Sequence, residues 1–293
     1  MGLTRPVGGF WQNVLTPDGA ERKGEAVAQA RIRRPFALLP EKVRAIRPPK
    51  WWQEITFILV VYLLYSLVRN SVPSHEVGAL HRARSLLSFE GTLHINLERS
   101  TNLFVAGHAW LAQICDYYYS TLHFIVTIGV LVWLYLRHPL RYRSIRSVLI
   151  VTNLTALVGF WFISLAPPRM LPGFVDTVVK FHTWGSLASP DVAKESNQYA
   201  AMPSLHVAWS LWCAIAIVAL AKRRWVRILG AAYPVMTSLV VIGTANHFVF
   251  DVVGGALAVG FAIVVERLLS GRHAYSRRFG SAVGSPEREL AVA

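Results

Sequence analysis

The sequence is poor in charge, and poorest in acid. Only 16% of its 293 residues are Asp, Glu, Lys or Arg, where soluble domains carry about 25%. Sixteen acids stand against thirty bases, a formal net charge of +14. So little charge excludes an ordinary water-soluble domain. Cysteine is nearly missing. Cys115 and Cys213 lie in apolar surroundings without metal-type spacing, which excludes a disulfide framework and leaves packing as their expected role. Internal repeats and low-complexity tracts are absent. A cleavable leader is not expected either, because the first long apolar run begins only near Ile55, after a polar, basic stretch too long for a signal peptide's charged region. Insertion would then rely on the first membrane helix.

What is present is hydrocarbon. The chain is 54% hydrophobic with a mean hydropathy of +0.40, gathered into long runs. The bases sit in short clusters between those runs, the pattern of loops beside anionic lipid and not of a nucleic-acid surface. The expected fold is an all-α integral membrane protein, a six-transmembrane-helix bundle with interfacial helices on the outer face. The spans fall at about 53–70, 118–136, 147–165, 203–220, 225–242 and 248–269. Residues 1–50 read as a basic, mostly disordered cytoplasmic tail, 51–270 as the membrane domain and 271–293 as a second cytoplasmic tail. Pro48, Pro49, Lys50, Trp51 and Trp52 mark headgroup depth. Segment 76–89 has helical spacing, 90–103 reads as a polar loop, and 104–116 is apolar but short; together they predict two interfacial or re-entrant helices.

Six spans put both termini on one side. Arg137, Arg141, Arg143 and Arg146, then Lys222, Arg223, Arg224 and Arg227, load that side with cations, which predicts cytoplasmic termini and a multi-pass protein of the cell membrane. Three helix mouths then meet at the outer face. One span ends at Arg169, another begins at Ser204 and His206, and the last begins at His247 and Asp251. Ionisable groups at such depth are costly and mark function. His247 and Asp251 are one helical turn apart, so the acid can fix the imidazole's tautomer.

Two histidines, an aspartate, an arginine and a serine suit phosphoryl transfer. His247 is the candidate nucleophile, Asp251 its support and His206 the acid/base. Arg169 and Ser204, with the free amides of the helix that Ser204 opens, are candidate phosphate binders. Thr244, Asn246, His123 and Tyr119 are candidate substrate-pocket residues. No metal and no cofactor is required.

Pro203-Ser204-Leu205-His206 and His247-x-x-x-Asp251 followed by glycine resemble the second and third motifs of the type 2 phosphatidic acid phosphatase superfamily, over about residues 53–269. The resemblance implies the roles just given for His247, Asp251, His206, Arg169 and Ser204. Departures stand at Phe162, where the family has a lysine, at Met170, commonly proline, at Leu205, a glycine in the second motif, and at Val241, often arginine. Thr244, Asn246, Lys180 and Lys194 are the residues available to replace the missing cations. Pro167-Pro168-Arg169, Pro-Ser-x-His and Thr244-x-x-His247 resemble the inositol phosphorylceramide synthase branch, which implies headgroup transfer between lipids. The implied partners are the bilayer and a phospholipid or isoprenoid-phosphate substrate. The competing reading is a six-helix transporter, whose polar residues would line a path across the membrane.

Overall fold

The computed structural model describes residues 38, 49–71, 76–183, 198–271 and 273–276. The two tails and the stretch carrying Lys194 therefore lie almost wholly outside the described residues. Among those described, the regular structure is helical, with an isolated parallel bridge between Leu165 and Ala200. The helices are α1 (Trp51–Ser71), α2 (Glu76–Thr92), α3 (Glu98–Ala106), α4 (Ala109–Tyr117), α5 (His123–Arg137), α6 (Pro139–Phe162), α7 (Thr177–Phe181), α8 (Leu205–Leu220), α9 (Arg224–Gly243) and α10 (Val249–Ser270).

Five stretches are long and apolar enough to cross a membrane: Trp51–Ser71, Ala109–Arg137, Pro139–Phe162, Arg224–Gly243 and Val249–Ser270. Their outward faces are apolar. Ile55, Leu59, Leu63 and Leu67 of α1 and Val235 and Leu239 of α9 are exposed, a surface that only hydrocarbon satisfies. This is a multi-pass membrane protein. Its first helix is tied to the bundle by a buried acid. Glu54 accepts from Tyr142 Oη at 2.8 Å and pairs with Arg146 at 3.2 Å.

The expected fourth span is α8. It has 16 residues, a length of about 24 Å, and is the shorter apolar helix that falls outside those five. It occupies the middle of the bundle, packed on α5, α6, α9 and α10. Ala208, Trp212, Cys213 and Ala216 are buried along it. Trp212 Nε1 donates to the Ile145 carbonyl at 2.9 Å, fixing α8 against α6. Both cysteines are buried and free.

Three boundaries differ from expectation. Residues 90–103 are mostly helical, ending α2 and forming most of α3, because the acids there point inward and are satisfied by helix ends elsewhere. Segment 104–116 is not one short helix; it ends α3 and then opens the stretch that runs from Ala109 to Arg137, so the second candidate span starts before residue 118. Arg137 to Arg146 is not a loop. Only His138 separates α5 from α6, whose first position, Pro139, suits a helix start.

The turn before α8 nests between two helices through glycines. A Cβ on Gly159 of α6 would lie 2.6 Å from Pro203 Cδ, and one on Gly255 of α10 would lie 2.5 Å from the Ser204 carbonyl oxygen. Close backbone approach of this kind requires a missing side chain. Gly255→Ala is therefore expected to destabilise the protein by about 1–3 kcal/mol, seen as a lower denaturation midpoint in detergent. Gly260→Ala, with nothing within 4 Å of the added atom, is the control and should be neutral or slightly stabilising.

Candidate functional site

The loop from α9 to α10 turns on one carbonyl. Val241 O accepts from both Asn246 N at 3.0 Å and His247 N at 3.1 Å. Ala245 takes a left-handed conformation, φ 52°, which costs about 1–2 kcal/mol for a residue with a Cβ. Its carbonyl accepts the Arg169 backbone N–H at 2.9 Å. That contact helps join the end of the 163–170 segment to the α9–α10 turn.

Arg169 is then gripped from two sides. Nη1 donates to Asn246 Oδ1, and Nε lies 3.4 Å from Asp176 Oδ2. Asn246 is held in turn, its Nδ2 donating to Thr244 Oγ1 at 2.8 Å, while that hydroxyl donates to Val240 O. Thr244 and Asn246, read from sequence as substrate-pocket residues, are buried and orient the arginine instead. A guanidinium carries five N–H donors, so these two contacts leave capacity for an anion.

His247 Nδ1 lies 3.2 Å from Asp251 Oδ2, and the same oxygen accepts the Phe248 N–H at 2.9 Å. With Asp251 ionised its oxygen only accepts, an arrangement that puts the ring proton on Nδ1 and leaves Nε2 as the free nitrogen. Both side chains are buried. Ser204 caps α8. Its N–H donates to the Asp251 carbonyl at 3.0 Å, and its Oγ accepts weakly from Val207 N at 3.5 Å. His206 follows within the first turn.

The His206 ring centre is 6.0 Å from that of His247. On its other side it stacks on Tyr119 at 4.1 Å and meets the edge of His123 at 4.4 Å. Tyr119 lies in a π-helical turn, Tyr118–Leu122, inserted between α4 and α5, and His123 opens α5 directly after it. Such turns rotate a helix face locally and recur at functional sites. His123 Nδ1 bonds the Tyr119 carbonyl at 3.0 Å. Tyr119 and His123 thus contact His206 and frame it. Contacts link all nine sequence candidates into one cluster.

The replacements for the missing cations are not all available. Lys180 Nζ donates to Ala106 O at 2.8 Å and lies over the Phe181 ring, so its charge is used in the α3–α7 contact. Phe162 is 77% exposed at the end of α6, on the outer surface of the bundle and not beside Arg169. Val241 is buried with Val207 and Ile242; its backbone serves the loop.

Sequence reasoning missed Glu90, Glu98, Asn102 and Asp176. Asn102 donates to the Val175 and Gly243 carbonyls and accepts from Val175 N, clipping the 173–176 turn to the end of α9. Glu98 accepts from Val249 N at 2.9 Å and Glu90 from Phe250 N at 2.8 Å. The only available signal was acid on short helices beside a chain otherwise starved of it.

The fold is that of a multi-pass membrane protein, and a family match adds the phosphatase type. Residues 84–265 match the sequence model of the PAP2 superfamily, more than half of the chain and inclusive of each candidate site residue; the chain belongs to that superfamily. No curated protein and no solved structure matches it.

Asn246→Leu keeps the side-chain volume but removes the carbonyl to which Arg169 donates. It is expected to cost about 1–3 kcal/mol, measured as the denaturation midpoint of the purified protein in detergent; an unchanged midpoint would show that Arg169 does not depend on this contact.

Proposed function

We propose that the protein hydrolyses or transfers a phosphate ester of a lipid through a phosphohistidine on His247. The observation that carries this reading is the His247–Asp251 contact with His206 facing it across 6.0 Å. In this reading the phosphoryl group is handled by the two facing rings.

His247 Nε2 attacks phosphorus and the bond from phosphorus to the lipid oxygen breaks. His206, in its protonated form, gives its proton to the departing alkoxide. Neutral His206 then takes a proton from water or from an acceptor alcohol, whose oxygen attacks phosphorus. The P–N bond breaks and His247 is restored. Asp251 supports the positive charge on the phosphorylated imidazole through Nδ1–H. Arg169 binds non-bridging oxygens, joined by the Ser204 hydroxyl and the first amides of α8. General acid/base help of this kind is worth about 10²–10⁴-fold in rate. No step calls on a metal.

The membrane arrangement in this proposal is the six-span one, with α8 as a short span enclosed by its neighbours. The catalytic domain is 51–270, the termini are cytoplasmic and the site opens on the outer face of the cell membrane. The basic residues at 137–146 and 222–227 support that orientation. A transporter path finds no support, because the candidate groups gather at one end of the bundle. Within the two chemistries, transfer of a headgroup such as inositol phosphate is favoured. Segments 76–106 and 168–183 close over the site through Glu90, Glu98, Asn102 and Asp176, and exclusion of water favours an alcohol acceptor.

His247→Ala is expected to abolish turnover while the protein still inserts and purifies as a folded species; wild-type activity in that variant would refute the proposal. Asp251→Asn should lower kcat by about 10²–10⁴-fold, since the tautomer is no longer held. The assay is release of phosphate from phosphatidic acid or farnesyl diphosphate in detergent micelles, and release of labelled headgroup from phosphatidylinositol with and without ceramide or diacylglycerol. Acid-quenched wild type should carry label on His247. Activity should survive EDTA, and loss restored by zinc would contradict the mechanism.

A further inference from the structure

Glu90 and Glu98 are fully buried, yet no cation pairs with either among the described residues. They come from α2 and α3, outside the five candidate spans. Each spends its Oε1 on α10, Glu98 on the Val249 amide and Glu90 on the Phe250 amide. The two carboxyls take neighbouring amides and so stand side by side, and Glu90 Oε2 and Glu98 Oε2 are both buried with no hydrogen-bond partner among the described residues. Two bare carboxylates so placed could only accept and would repel each other, whereas one proton between them satisfies both free oxygens. With the Phe248 amide taken by Asp251, three successive amides at the mouth of α10 are each held by a different carboxyl.

We propose that Glu90 and Glu98 are positioning residues that share one proton, and that this proton-bound pair sets the start of α10 and so aims the Asp251–His247 contact. The role rests on His247 being the reacting residue. The pair does not touch His247 and takes no part in the bond changes. It acts by fixing the first turn of the helix that carries Asp251. The positive end of α10 favours one negative charge there; a second, beside Asp251 and out of water, would repel it. One proton resolves the conflict. Glu90 is pushed up to about 8, first by burial, then by Glu98; the Phe250 amide pulls it down and Asp251 adds to the rise. These are the groups that act on it.

The sign follows. Folding favours protonated Glu90, so its contribution to stability is complete below its ordinary value of 4.5 and is lost as pH rises to about 8. Above that the shared proton is lost, and the first turn of α10 loosens.

The test uses the full-length protein in detergent, comparing wild type with Glu90→Gln, Glu98→Gln and Glu90→Ala. A glutamine keeps Oε1 on the α10 amide and supplies an N–H in place of the shared proton. Three readouts decide. In infrared difference spectra at pH 7, wild type minus Glu90→Gln should show the C=O stretch of a protonated carboxylic acid. The denaturation midpoint of wild type should fall more steeply than that of Glu90→Gln between pH 5 and 8. In phosphate release from phosphatidic acid micelles, Glu90→Gln should keep kcat within about threefold of wild type and lose its alkaline limb, while Glu90→Ala falls on the order of 100-fold at similar KM. Absence of the infrared band, or equal pH slopes in wild type and Glu90→Gln, would overturn the proposal, as would equal loss in Glu90→Gln and Glu90→Ala. Should His247→Ala retain activity, the functional reading falls alone; the infrared and denaturation results still decide the shared proton.

Discussion

A helix that begins away from water must find acceptors for its first amides. α10 begins that way, and its acceptors are carboxyls: Asp251 for Phe248, Glu98 for Val249 and Glu90 for Phe250. The rest of the structure depends on this start. It decides where Asp251 stands, and with it which nitrogen of His247 is exposed. It explains why a chain with so few acids buries two of them on short helices outside the candidate spans. It also gives segment 76–106 a purpose, because without α2 and α3 the mouth of the last helix would be open and its amides unpaired.

Around that start the backbone is packed unusually close. Pro203 and Ser204 sit against α6 and α10 where glycines leave room, and Ser204 N–H is held by the Asp251 carbonyl. His206 is therefore placed by the same residue that holds His247. Arg169 joins through the Ala245 carbonyl and Asn246. The two halves of the cluster, some forty residues apart in sequence, are coupled through backbone contacts, which are stiffer than side-chain ones. Buried polar groups in such a place hold one arrangement because breaking any single contact leaves a neighbour unsatisfied.

Much of this was legible in the sequence. The apolar runs announced the membrane helices, since a span needs about 20 such residues and nothing else in a chain looks like that. Helical spacing suggested the pairing of His247 with Asp251, but His247 precedes α10, whose N-cap is Phe248, and Asp251 reaches back to it from the first turn. Proline at 203 and 139 marked helix starts because its ring suits that position. The failures have a common cause. Glu90, Glu98 and Asn102 looked like loop residues because polarity in sequence reads as exposure, whereas here their partners are amides more than a hundred residues away in some cases. The basic residues from 137 to 146 looked like a loop for the same reason, although long side chains on a helix end can reach water from within it. Lys180 could not be placed, because nothing local says that it will meet Ala106.

The sequence by itself determined that the protein lives in a membrane, where its helices run, and which residue types could handle phosphate, because those follow from composition and from periodicities within one segment. Tertiary structure alone decided that Asn246 and Thr244 hold Arg169, that Tyr119 and His123 frame His206, and that two glutamates from distant helices close the last one. Those assignments depend on hydrogen bonds between segments far apart in the chain. At the opening of the last helix both kinds of information meet: the His247–Asp251 spacing is local, and the acceptors that anchor it are not.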